Sequence, residues 1–283
     1  MTACITTSKR EPLSLNGVFH NCATFLCCAG PSLASADQQR LYRRGILTCA
    51  VNNAVSVLRP NLWVIYDHPN RFIEAAFRDP AILKFLPKPH LDGYLRTRND
   101  TGQLVDAHLQ AKDCPAVFGY EHNNAFNESI WLTEASINCG HVDSDEDVQG
   151  VSGGRSVMLA ALKLLYVLGV RTVFLLGCDF NMSASKTNYA FDHACSRSYI
   201  RMNNRAYRLL SNRLSRLKPY FDEAGYQVFN CTPGSQLDVF PILSLEEATE
   251  MALADFPTSL DASGMYLRHR ESKTDPLDAE IKS

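Results

Sequence analysis

Between residues 151 and 179 the chain runs through a small-residue turn, an apolar helix, a glycine stop and a buried strand, and few folds accept that order. Ser152, Gly153 and Gly154 open the run, and Gly169 ends the helix. A glycine suits that stop because it takes left-handed backbone without a side-chain clash. Arg171 to Leu176 then reads as a strand, with Gly177 and Asp179 at its carboxyl edge. In open α/β sheets ligands bind beyond the carboxyl ends of the strands. The spacing therefore predicts that Ser152, Gly153, Gly154 and Asp179 face one crevice.

A second turn of this kind lies early in the chain. Ala23 to Ala29 is a short apolar run, followed by Gly30, Pro31 and Ser32. Pro31 suits a first helical turn, where a missing N–H costs nothing. The helix is expected over residues 34–44, ending at Gly45. Ile46 to Val51 reads as a second strand followed by Asn52 and Asn53, and Leu62 to Tyr66 as a third followed by Asp67 and His68. Strands separated by helices indicate βαβ units and a parallel sheet. The fold class is thus α/β, Rossmann-like, with a mostly parallel sheet flanked by helices and an irregular helical insertion or lid. Residues 1–22 read as a loose lead-in, 23–243 as the nucleotide-donor-binding domain, and 244–283 as a C-terminal helix and polar tail. Within the domain, Ala116 to Tyr120 and Ser129 to Ile137 read as further strands, and residues 141–150 as a surface loop.

Composition narrows the class. A net charge of −2 argues against a protein that binds nucleic acid by bulk charge alone. Ten cysteines are many, yet none fall at Cys-x-x-Cys or zinc spacing. They read as reduced thiols, hence a cytoplasmic protein without a structural metal. The start of the chain is polar, and charged residues and Gly169 interrupt its longest apolar stretch, so no membrane span is expected.

Residues 194–221 hold seven basic residues and no acidic one. Arg197, Arg201, Arg205 and Arg208 fall at i, i+4, i+8 and i+11, one face of a helix. Such a face suits a polyanionic acceptor, with nucleic acid the leading candidate, since arginine contacts to phosphate give affinity without reading sequence. A solvated helix face accounts for the same pattern.

Several short motifs occur together in order: Gly-Pro-Ser-Leu after the first strand, Asn after the second, Ser-Gly-Gly before the apolar helix, Gly-Cys-Asp-Phe after the next strand, and Tyr-Ala-Phe-Asp at 189–192. That order resembles the bacterial lipooligosaccharide sialyltransferases. It is also similar to the domain of unknown function 115 proteins, which include an archaeal 6-hydroxymethylpterin diphosphokinase. The resemblance covers residues 23–243 and implies a nucleotide-sugar donor held by Gly30, Pro31, Ser32, Asn52, Asn53, Asp67, Ser152, Gly153, Gly154, Cys178, Asp179, Tyr189 and Phe191. The sialyltransferases carry a general-base histidine well beyond the Tyr-Ala-Phe-Asp segment. Here the nearest histidine is His193, directly after Asp192, so His193, Asp179 and Asp192 are the catalytic candidates.

The expected activity is glycosyl transfer from a nucleotide-sugar to an acceptor hydroxyl, with no cofactor. An ATP-dependent diphosphokinase with Asp179 on Mg²⁺ is the alternative, and a non-catalytic nucleotide-binding module is a third.

Overall fold

The computed structural model describes residues 5–20, 22–123, 126–138 and 156–254. Ser152, Gly153, Gly154, the 141–150 loop and the C-terminal tail lie outside the described residues. Strands β1 (Ile5–Thr7), β2 (Pro12–Leu13) and β3 (Ala23–Cys27) come first, then two short helices, α1 (Ser32–Ser35) and α2 (Gln38–Leu41). Next come β4 (Leu47–Val51), β5 (Leu62–Val64), α3 (Glu74–Arg78), β6 (Leu83–Pro87), β7 (Tyr94–Arg98), β8 (Leu104–Gln110), β9 (Val117–Tyr120), β10 (His122–Asn123) and β11 (Ile137–Asn138). The chain continues through α4 (Val157–Val167), β12 (Thr172–Leu176), α5 (Arg197–Glu223), β13 (Gln227–Asn230) and α6 (Leu245–Leu253).

Nine of the described strands form one sheet in the order β13-β12-β3-β4-β5-β6-β9-β1-β2. Pairing from β13 to β9 is parallel, and β1 and β2 join antiparallel at the far edge. This is the expected Rossmann-like architecture, and its consequence is directional. The carboxyl ends of β3, β4, β5 and β12 all open toward the same side of the molecule.

Two cores pack the faces of the sheet. On one, α4 and α5 bury Leu159, Leu162, Leu214 and Phe221 against Leu26, Val51, Val173 and Leu175. On the other, Leu33, Leu41, Phe77 and Ala248 cover Phe25, Ala50, Trp63 and Phe174. Helix α4 is buried nearly all round, which explains its unbroken apolar sequence. Even Lys163 is buried, with Nζ donating to the Trp131 carbonyl at 2.6 Å.

The structure departs from the sequence expectations in three places. The 34–44 helix is two short pieces, because Ala36 takes extended backbone with ψ 146°. Residues 129–137 form a 3-10 turn over Glu128–Ile130 and a two-residue strand at Ile137–Asn138, not one strand. The lead-in is not loose. Ile5–Thr7 pairs with β9, and the N–H groups of Gly17 and Phe19 donate to the Val167 and Leu168 carbonyls that end α4. Those carbonyls have no partner inside the helix, so a distant segment satisfies them. Gly169 sits there with φ +99°, and a side chain would meet the backbone of Gly17 at 2.7 Å.

Candidate active site

A cavity of about 660 Å³ opens at the carboxyl ends of the central strands. Its floor is Cys28 to Pro31 after β3 and Gly177 to Asn181 after β12. One wall is Asn52, Asn53, Tyr66, Asp67 and Arg71 after β4 and β5. The opposite wall is Tyr189, Phe191 and His193 with the inner face of α5. Asp192 and Ser32 do not line it.

The floor is a tight interlock. Gly30 donates its N–H to the Gly177 carbonyl at 3.0 Å. The Ser32 hydroxyl donates to Asp179 Oδ2 at 2.7 Å, and the Ser32 N–H reaches the same oxygen at 3.4 Å. A side chain on Gly30 would lie 2.0 Å from Asp179 Oδ2 and 2.4 Å from the Gly177 carbonyl. Gly30 therefore makes room for a carboxylate. Gly30 spends its donor on Gly177, Pro31 has none, and Ser32 is turned to Asp179. Asp179 is held with one oxygen engaged and its main chain pinned, since its carbonyl accepts from Gln236 at 3.0 Å.

Two residues at the rim have left-handed backbone. Asn52 has φ +41°, and its side-chain oxygen accepts the Tyr66 N–H at 2.9 Å while its carbonyl accepts Trp63 Nε1–H at 2.8 Å. Asparagine tolerates this conformation, and Asn52 lines the cavity with its side-chain oxygen engaged. Phe180 has φ +54°, which is costly for a bulky side chain. Its ring stacks on Tyr207 at 5.2 Å, holding the chain bent just past Asp179. Strain of this kind persists only where the surroundings fix it, and it gathers at functional sites.

The aromatic wall is one packed cluster. Tyr189 and Phe191 stack with centroids 5.2 Å apart, and His193 meets Tyr189 edge-on at 5.3 Å. The Tyr189 and Tyr199 hydroxyls share a hydrogen bond of 2.7 Å. Burial, then the Tyr199 hydroxyl, pushes the Tyr189 phenol well above the ordinary range, and burial does the same to Tyr207. Both remain protonated donors at neutral pH. The segment is anchored to the floor by Ala190 N–H donating to the Ala29 carbonyl at 3.0 Å. His193 itself is exposed at the mouth.

Helix α5 turns a different face to the cavity from the one its arginines mark. Tyr199, Asn203, Tyr207 and Leu210 line the cavity, and Arg197, Arg201, Arg205 and Arg208 do not. At about 100° per residue, the two-residue offset between these stripes turns the arginines roughly 200° away. The structure thus does not bring those four arginines into this cavity. Among the described residues, the arginines that do line the cavity are Arg71 and Arg213. Arg213 is buried, with its guanidinium 4.8 Å from the Phe126 ring. Arg71 lies 3.9 Å from Asp67 at the exposed rim.

Sequence reasoning missed Tyr66, Arg71, Tyr199, Asn203, Tyr207 and Arg213. For the α5 residues a signal existed, since Tyr199, Asn203, Tyr207 and Leu210 repeat with the same spacing as the arginines.

No protein-family model and no curated protein matches the chain, so the likeness to the domain of unknown function 115 proteins gains no support. Among solved structures it is similar to the sialyltransferase CstII from Campylobacter jejuni in complex with the substrate analogue CMP-3FNeuAc. That match has 14% identity, a TM-score of 0.38, and covers 79% of this chain and 86% of that one. The same enzyme with cytidine-5'-monophosphate matches at 15% identity and the same TM-score, covering 80% and 86%. Similarity of this size carries no residue-level correspondence. Among the described residues, no helix is long and apolar enough to cross a membrane.

Proposed function

We propose that the chain is a glycosyltransferase that uses a nucleotide-sugar and that its reaction takes place in the cavity at the strand ends. The supporting observation is the pairing of two unlike walls across one floor. On one side are amide, carboxylate and guanidinium groups from Asn52, Asn53, Asp67 and Arg71, suited to the hydrogen-bonding edges of a nucleoside. On the other are stacked aromatic rings with protonated hydroxyls, suited to the apolar face of a sugar and to an anionic leaving group. Arg213 and the Tyr189–Tyr199 pair supply a cation and O–H donors for the phosphate that departs. Donors fixed in place before reaction stabilise developing charge without reorganising. His193, at the mouth beside the sugar-facing wall, is the proposed base that takes the acceptor proton. Asp179, fixed by Ser32, orients the sugar or acceptor. The acceptor enters from the exposed His193 side.

Two measurements test this. A thermal-shift series with CMP-, UDP- and GDP-sugars and adenine nucleotides should single out one nucleotide-sugar, giving about 2.7 kcal/mol of stabilisation at 100 times its Kd. Stabilisation by ATP alone, with activity abolished by EDTA and restored by Mg²⁺, would replace the proposal with a diphosphokinase. His193→Ala should then lower kcat by about 100- to 10,000-fold with donor affinity retained. Full turnover in that variant removes the base assignment.

A further inference from the structure

Cys28 and Cys178 stand at the carboxyl tips of β3 and β12, which are neighbours in the middle of the sheet. Cys27 and Leu176 are register partners, and the Cys28 N–H donates to the Leu176 carbonyl at 2.8 Å, so pairing continues past the strand ends. Side chains alternate along β3. Phe25 and Cys27 enter the core beneath α1, α2 and α6, while Leu26 and Cys28 turn to the core beneath α4 and α5. Cys178 enters that second core too. The two thiols therefore leave adjacent tips on one face. Both line the cavity, Cys28 half-buried and Cys178 buried.

Disulfides form when Cα atoms lie about 4.4–6.8 Å apart. Gly177, level with Cys28, has left-handed backbone (φ +67°) that breaks the alternation of β12 and turns Cys178 onto the Cys28 face, so these two thiols have the adjacency on one face that a bridge requires. The other nearby thiols do not. Cys27 points to the opposite face, and Cys49 is level with Leu26, two residues deeper in the sheet. No step of the proposed transfer reaction needs either Cys28 or Cys178 as a nucleophile.

We propose that Cys28 and Cys178 form a redox-sensitive dithiol that a peroxide converts to an intramolecular disulfide across the cavity floor. Cys28 is the thiol open to the cavity, so it reacts first. Its thiolate attacks one peroxide oxygen, the O–O bond breaks, an S–O bond forms, and the departing hydroxide takes a proton and leaves as water. The Cys178 sulfur then attacks the Cys28 sulfenic sulfur, an S–S bond forms, and a second water leaves. Two thiols lose two electrons and two protons, and hydrogen peroxide is reduced to two waters. The bridge draws in the residue preceding Asp179, whose carboxylate occupies the space that Gly30 leaves open. Oxidation thus lowers ligand affinity. That last consequence rests on the cavity being the nucleotide site, whereas the dithiol chemistry does not.

The test treats the folded full-length chain with a few equivalents of hydrogen peroxide, blocks remaining thiols with iodoacetamide, and maps non-reduced peptides by mass spectrometry. The expected result is a peptide joining Cys28 to Cys178 that dithiothreitol abolishes. In Cys178→Ala, Cys28 should stop at the sulfenic acid and be trapped by dimedone. A wild-type map in which Cys28 proceeds to sulfinic or sulfonic acid, in which both thiols stay reduced, or in which the crosslink joins other cysteines overturns the proposal without needing the variant to fold. A tenfold or greater loss of nucleotide affinity on oxidation, restored by dithiothreitol, is expected. A mapped crosslink with unchanged affinity overturns the regulatory consequence alone.

Discussion

Helix α5 carries two stripes with identical spacing and opposite surroundings. Residues 197, 201, 205 and 208 are arginines that do not line the cavity; residues 199, 203, 207 and 210 are Tyr, Asn, Tyr and Leu facing it. The arginine stripe is the louder pattern, because like charges repeated on one face stand out in any reading. The quieter stripe holds the groups that reach the candidate site. Periodicity identifies a face and says nothing about what the face meets; the direction comes from the other elements packed on the helix. Here Leu214, Leu217 and Phe221 settle it by sinking into the core beside α4.

The sharpest way to break this contrast is to spoil the floor that the inner stripe faces. Gly30→Val places a side chain where Asp179 Oδ2 and the Gly177 carbonyl already sit. Overpacking of this kind costs about 1–3 kcal/mol. The expected outcome is loss of nucleotide binding with a lowered Tm, measured by calorimetry and circular dichroism. Wild-type affinity in a folded Gly30→Val protein would show that ligand binds elsewhere.

A matched arginine comes next. Arg213 belongs to the same helix but to its buried side, where its guanidinium covers Phe126. Arg213→Ala should cost about 1–3 kcal/mol in urea unfolding, because buried arginine loses packing as well as charge. It should also weaken nucleotide affinity. Equal effects from Arg213→Ala and Arg208→Ala would erase the distinction between the stripes.

The smallest effect is expected on the arginine stripe. Arg201→Gln with Arg208→Gln should shift stability by less than about 0.5 kcal/mol and leave nucleotide affinity unchanged. A clear loss of donor binding in that double variant would return the arginine stripe to the site.

What the sequence made legible follows the range of the forces involved. The apolar run of α4, its stop at Gly169 and the strand 172–176 depend on local pattern, and all appear where expected. The convergence of Asn52, Asp67 and Asp179 on one cavity was legible too, because in a parallel sheet the carboxyl ends share a side, whereas Tyr189 and His193 were named only through the resemblance. The two-residue strand β2 and the short β1 were illegible, since three residues hold no period and their pairing with β9 is set by tertiary contact. What Gly30 makes room for was illegible for a similar reason. A glycine after a strand looks the same whether it admits a phosphate or a carboxylate from β12, a strand far along the chain.

The seam between β3 and β12 also has a kinetic consequence. Ala23 pairs with Thr172, and about half of the chain lies between them. Closing so long a loop is entropically slow, and topologies rich in such pairings fold late at those points. During synthesis β3, β4, β5, β6 and β9 can assemble first and wait with one exposed edge until β12 emerges. Only when it docks do Cys28, Gly30 and Asp179 come together, so competence to bind a nucleotide should be among the last properties the folding chain acquires. A ligand that engages the floor would then act as a clasp, slowing the opening of the seam more than it speeds its closure.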